Sequence, residues 1–208
     1  ALDANGGASI DNIQIGVTGD NEIDTASGNL TIDSAGGTTT IDDALTVSGA
    51  TTLTGATTLN GGLTLNSSTI SLGSSSAASG TNSIAIGQDS SATATHGIAI
   101  GKSSVANQSS TSNNNDQNYG IAIGSSATAT GNSSVALGTS SSATEVSSVA
   151  LGESAESTGV WGTAVGTSAK ANGTGSASLG GHADALGSFS TSIGYDSEAS
   201  GSKSIAIG

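Results

Sequence analysis

Residues 134–166 read SVALGTSSSATEVSSVALGESAESTGVWGTAVG. The phrase SVALG stands at 134–138 and returns at 148–152, and a worn copy, GTAVG, closes the stretch at 162–166. Each copy thus follows the last at a constant interval of fourteen. The chain's only tryptophan, Trp161, sits immediately before the third copy. A short phrase returning on a fixed interval marks a repeat architecture, in which each copy buries its apolar side against the next.

The same clock runs in both directions from this stretch. Glycines that close an apolar-small-apolar triplet stand at 73, 87, 101, 124, 138, 152, 166, 180, 194 and 208. The interval is constant except from Gly101 to Gly124, where one period is extended by a nine-residue insertion. We number positions from each such glycine as zero. Positions +11 and +13 carry the large apolar pair, as in Ile84/Ile86, Ile98/Ile100, Ile121/Ile123, Val135/Leu137 and Val149/Leu151. The first member weakens later, to Thr163, Ala177 and Thr191, and returns as Ile205. Positions +3 and +5 are small, as in Ala127/Ala129 and Ala169/Ala171, and +7 is usually glycine.

Alternation with period two specifies strands. Glycine supplies the turn conformations that other residues reach only with strain. Each repeat therefore holds two short strands and two turns, and forms one coil of a flattened solenoid. Coils stacked about 4.8 Å apart give a repeat region roughly 45 Å long. The pattern predicts large +11 and +13 side chains pointing inward against the small +3 and +5 residues. Position +4 (Glu156, Lys170, Asp184, Glu198) is then a wet face. Position +12 holds Ala85, Ala99, Ala122, Ala136, Ala150 and Ala164 and is never charged. It is expected to face outward and to pack against further copies of the chain, closed symmetry giving a dimer or a trimer.

Composition agrees with a thin repetitive fold. The 208 residues include 32 Gly, no Pro, no Cys and no Met, and the aromatic residues are Tyr119, Trp161, Phe189 and Tyr195. That is too little large apolar matter for one thick globular core, and too regular for disorder. The net charge is −13 and the first lysine is Lys102. A nucleic-acid partner is excluded, because phosphate contacts need a basic surface. Without cysteine there is neither a disulfide framework nor a thiolate metal site. No signal peptide or transmembrane run is visible. The missing initiator Met and the final SIAIG at 204–208 suggest a segment of a longer protein.

SIAIG, SVALG and their copies, with A-x-A and Gly at fixed offsets, resemble the head repeats of trimeric autotransporter adhesins. The resemblance covers about residues 70–208. It implies a left-handed parallel β-roll assembled as a trimer on a bacterial surface. Residues 44–73 follow a different rule, dividing into six-residue blocks such as ALTVSG, ATTLTG and ATTLNG. Six residues cannot close a coil alone, whereas three intertwined chains can each supply a side. Residues 10–43 read as longer strands, with Ile-Asp recurring at 23–24, 32–33 and 41–42. Their aspartates lack a full EF-hand spacing and are read as a solvated column. Together, residues 10–73 resemble structural fibre proteins of tailed phages, particularly those of marine cyanobacterial phages.

The expected fold is therefore an all-β fibrous homotrimer. An N-terminal β-rich segment (1–43) leads into an intertwined β shaft (44–73). A left-handed parallel β-roll solenoid of 14-residue repeats (74–208) follows, with an insertion within 102–120.

No catalytic constellation is visible. His96 and His182 stand at different phases of the repeat, without an H-x-H or H-x-x-x-H pair for a metal. No serine has an oriented base. Glu153 and Glu156, which mimic a glycosidase pair, fall on an exposed turn and face. No enzyme activity, cofactor or metal is expected. Position +9 stands apart, reading Asn82, His96, Tyr119, Ser133, Ser147, Trp161, Gly175, Phe189 and Lys203. His96, Tyr119, Trp161 and Phe189 are either a ridge that contacts ligand or rings that fill gaps against neighbouring subunits. The Asn-rich insertion, with Asn113, Asn114 and Asn115, is either a recognition loop or a tolerated bulge.

The expected function is structural: a fibre of a phage virion, a tail fibre or similar appendage, that mediates or supports host-surface attachment. The alternative is the head segment of a bacterial trimeric autotransporter adhesin on the cell surface. Expected partners are two further copies, other virion tail or baseplate proteins, and a host-surface glycan or protein.

Overall fold

The computed structural model describes residues 38–41, 45–48, 51–54, 57, 67–107 and 119–208. The chain divides into two compact units, residues 1–59 and 60–208. Most of the first unit lies outside the described residues. Those described in it form no strand and are exposed, with Leu45 and Leu53 each 67% accessible.

The second unit is a parallel β-roll. Each coil gives one three-residue and one two-residue strand, beginning with β1 (Ile70–Leu72), β2 (Ala77–Ala78) and β3 (Ile84–Ile86). The last strand is β19 (Ile205–Ile207). The three-residue strands form a ten-stranded sheet and the two-residue strands a nine-stranded sheet. Pairing is in register at the repeat interval, for example Val149↔Val135, Ala150↔Ala136 and Leu151↔Leu137. β1 pairs with β3, so the roll includes Ile70, within the last of the six-residue blocks. The insertion leaves the stack unbroken: β5 (Ile98–Ile100) pairs directly with β7 (Ile121–Ile123).

The turns explain the glycine clock. The N–H of Ser141 donates to the carbonyl of Gly138 at 3.2 Å, and Ser140 between them has φ 57°. A positive φ at the third residue is the type II turn pattern. Position +2 adopts it in every described coil, and +9 adopts it in the coils outside the insertion, as at Ser154 (φ 56°) and Trp161 (φ 59°). The turns also stack, the N–H of Ser154 reaching the carbonyl of Thr139 at 2.8 Å. Gly138 itself has φ 137°, and a β-carbon there would run into the Gly152 carbonyl of the next coil. That position admits glycine alone.

The interior overturns one expectation. Ala85, Ala99, Ala122, Ala136, Ala150 and Ala164 are completely buried within the single chain. They are not an outward interface column. Their neighbours at +11 and +13 point outward instead: Ile123, Leu137, Leu179 and Ile193 are 36–46% exposed. The period of two holds, but its phase is reversed. The physical reason is cross-section. So short a coil, with a tight turn at each end, leaves room inside only for the smallest side chains. Positions +3, +5, +10 and +12 accordingly supply Ala, Ser and Gly, as in Ala155, Ser157, Gly162 and Ala164. Serines at +3 bond back into the turn, Ser141 Oγ to Gly138 O at 2.9 Å and Ser104 Oγ to Gly101 O at 2.9 Å. With about 0.8 kcal/mol per buried CH₂, such an interior stabilises little. The stacked backbone bonds contribute the larger share within one chain.

Candidate functional site

The outer face of the ten-stranded sheet presents columns of Ile, Val and Leu, interrupted at +11 by Thr163, Ala177 and Thr191, with no charged residue at +11 or +13. An exposed apolar face of this extent marks an interaction surface. The opposite, nine-stranded sheet is wet. Its outward +4 column stacks Glu156, Lys170, Asp184 and Glu198 in register. Lys170 Nζ lies 3.8 Å from Asp184 Oδ2. This exposed pair contributes at most about 1 kcal/mol.

Two corners connect the sheets. The +9 corner brings His96 and Tyr119 together, with ring centroids 5.1 Å apart and a 32° tilt. His96 Nε2 is 3.3 Å from Asn82 Nδ2 of the preceding coil. Farther along, Trp161 and Phe189 stay 60% and 56% exposed. Each is pinned by its backbone, Trp161 N–H to Val146 O at 2.9 Å and Phe189 N–H to Thr174 O at 2.7 Å. The structure therefore brings His96 and Tyr119 of this column together, while Trp161 and Phe189 stand two coils apart with Gly175 between them in the column. Asn113, Asn114 and Asn115 lie outside the described residues.

The +2 corner holds a feature the sequence reading missed. His182 and Tyr195 pack edge to face, 5.7 Å apart. Their separation along the chain falls one position short of a full coil, and that spacing is the signal that would have found them. Beside them an open groove of about 660 Å³ is lined by His182, Asp184, Asp196, Glu198 and Lys170. Among the described residues, no three histidine or acidic side chains converge in a way that would hold a metal ion, and no helix is long and apolar enough to cross a membrane.

The repeat itself is diagnostic. The YadA head domain repeat (2 copies) matches residues 67–90, 78–104, 118–141, 161–183 and 185–208, together just over half of the chain. This chain belongs to the YadA head repeat family. Among solved structures, the collagen-binding domain of the Yersinia adhesin YadA is similar to it. The TM-score is 0.55 and the identity 27%, over 69% of this chain and 82% of that one. No curated protein matches. The family assignment makes this roll an adhesin-like head, a non-enzymatic structural module of an extracellular, surface-exposed appendage.

Proposed function

We propose that this chain is an attachment segment of a trimeric, non-enzymatic surface fibre, its three copies packed through the outer face of the ten-stranded sheet. That uncharged apolar face, spanning ten strands, carries the proposal. Water cannot be its intended neighbour, and self-association with closed symmetry covers it without a second gene product. Threefold repetition then converts weak surface contacts into avidity.

The carrier we favour is a tailed-phage virion. The support is residues 10–73, whose Ile-Asp repeats and six-residue Thr/Leu blocks resemble phage fibres and are read as an N-terminal segment and an intertwined shaft. Tail or baseplate proteins would hold that end. A bacterial trimeric adhesin is the second reading, favoured by the likeness to the Yersinia adhesin head. In either, the target is a protein or glycan on a host surface. The similarity to a collagen-binding domain makes a fibrous host protein the first candidate under the second reading.

Peptide mass spectrometry on purified virions and on membranes of uninfected bacteria from one source separates the two. Peptides in virions alone support the phage fibre. Peptides in uninfected membranes replace it with the adhesin. Sedimentation of the purified chain tests the trimer itself.

A further inference from the structure

We propose that Trp161 and Phe189 are rings that lock one copy of the chain to the next, seating in a recess left on the neighbour's sheet face by Thr163, Ala177 and Thr191. The proposal rests on the trimeric assembly above and adds to it a specific register.

The first observation is an inverse relation within each coil. Where +11 is large, +9 is polar: Asn82 with Ile84, His96 with Ile98, Ser133 with Val135, Ser147 with Val149, Lys203 with Ile205. Where +11 shrinks to Thr163, Ala177 and Thr191, the +9 residues are Trp161, Gly175 and Phe189. Tyr119, the exception beside Ile121, is already packed on His96 of its own chain. The sheet face thus loses bulk in three consecutive coils, and two rings appear at the corner of those same coils.

The second observation is conformational. Trp161 and Phe189 have φ 59° and 57°. Bulky residues are genuine outliers there, and such strain persists only where something else requires the side chain. Serine fills the same position in other coils. The third is exposure. Both rings remain more than half exposed in one chain, Phe189 even though it lies against Gly175 of the preceding coil, so contacts within the chain leave most of each ring uncovered. Val146 and Val160 at +8, whose carbonyls accept from the N–H groups of Trp161 and Gly175, put further apolar residues next to the ring column. A second copy accounts for ring and recess together. A glycan stacked on the rings would account for their faces, but not for the small residues at +11.

The chain contains a single tryptophan, so its fluorescence reports this contact alone. The experiment combines sedimentation with acrylamide quenching of Trp161 in the full chain, for the wild type, Trp161→Ser and Thr163→Ile. The expected result is a trimer with Trp161 shielded from quencher, and self-association weakened about tenfold or more by Trp161→Ser. Thr163→Ile is the sign test. It restores the usual +11 residue, so it weakens assembly if a neighbour's ring fills the recess and strengthens it if the recess is empty. A trimer with freely quenched Trp161, or one strengthened by Thr163→Ile, overturns the lock while the trimer stands. A monomer at all concentrations overturns both.

Discussion

Phe189 lies against Gly175 of the preceding coil: a β-carbon on Gly175 would come within 2.8 Å of Phe189 Cδ1. Gly175 also has φ 63°. The glycine therefore serves two demands at once, a left-handed turn and space for a ring. Gly175→Ala should cost about 1–2 kcal/mol for the backbone alone, with more from displacing the ring. Adding Phe189→Ser should recover the ring's share and leave the backbone's. A double-mutant cycle by urea unfolding reads that coupling, and full additivity would show that the ring does not rest on the glycine.

The reversed phase of the strands predicts opposite outcomes at adjacent residues. Ala150 is fully buried, and Ser178 and Ser192 fill the same column elsewhere. Ala150→Ser should be tolerated. Ala150→Leu should destabilise the roll by about 3 kcal/mol, toward the upper end of overpacking, because the thin coil cannot yield. Leu151→Ser, on the outward side, should leave the fold of one chain within about 0.5 kcal/mol and weaken self-association instead. Circular dichroism melts in parallel with sedimentation distinguish the two. Equal loss of fold at both sites would contradict the assigned phase.

How much of this was visible beforehand depends on the column considered. The glycine clock fixed the coil, because Gly138 and its equivalents carry both a positive φ and a backbone contact that excludes any side chain. Alternation likewise located the strands. Parity along a strand does not say which parity faces in, and the large residues of Val149-Ala150-Leu151 invited the wrong choice. The decisive clue was present: +3, +5 and +12 are all small, so the two sheets leave no gap that a leucine could fill. The corner pairs His96–Tyr119 and His182–Tyr195 were harder to see. Spacing places each pair on adjacent coils at one corner, but the contact itself depends on the rings leaning toward each other, which spacing alone does not specify.

Buried serines should also divide by their partners. Ser141 Oγ donates to Gly138 O at 2.9 Å. Ser176 Oγ is buried with no partner. Removing a made bond in Ser141→Ala should cost about 0.5–1.5 kcal/mol. Ser176→Ala removes a desolvated hydroxyl that gains nothing and should stabilise by about 1 kcal/mol. Thermal unfolding of the two variants checks the sign, and a loss of stability in Ser176→Ala would mean that its hydroxyl is satisfied after all.

The insertion should be separable from the scaffold. On both sides of it the ladder is complete: Ile98 N–H donates to Gly120 O at 2.8 Å, and Gly124 N–H to Ile100 O at 2.8 Å. At its start, Asn107 Oδ1 accepts from Thr93 Oγ1 at 2.9 Å, tying +6 to the preceding coil. Deleting residues 108–116 restores the regular interval and keeps Tyr119 at +9. It places Gln117 at +7, where Gly131 and Gly159 press on the next coil's backbone, so the deletion is best combined with Gln117→Gly. The melting temperature of this variant should match or exceed that of the full chain, since a shorter loop costs less closure entropy. Its adsorption to host cells then decides what the insertion does. Lost adsorption with an unchanged melt assigns recognition to the insertion that contains Asn113, Asn114 and Asn115. Retained adsorption removes that role and leaves the roll surface as the part that makes contact.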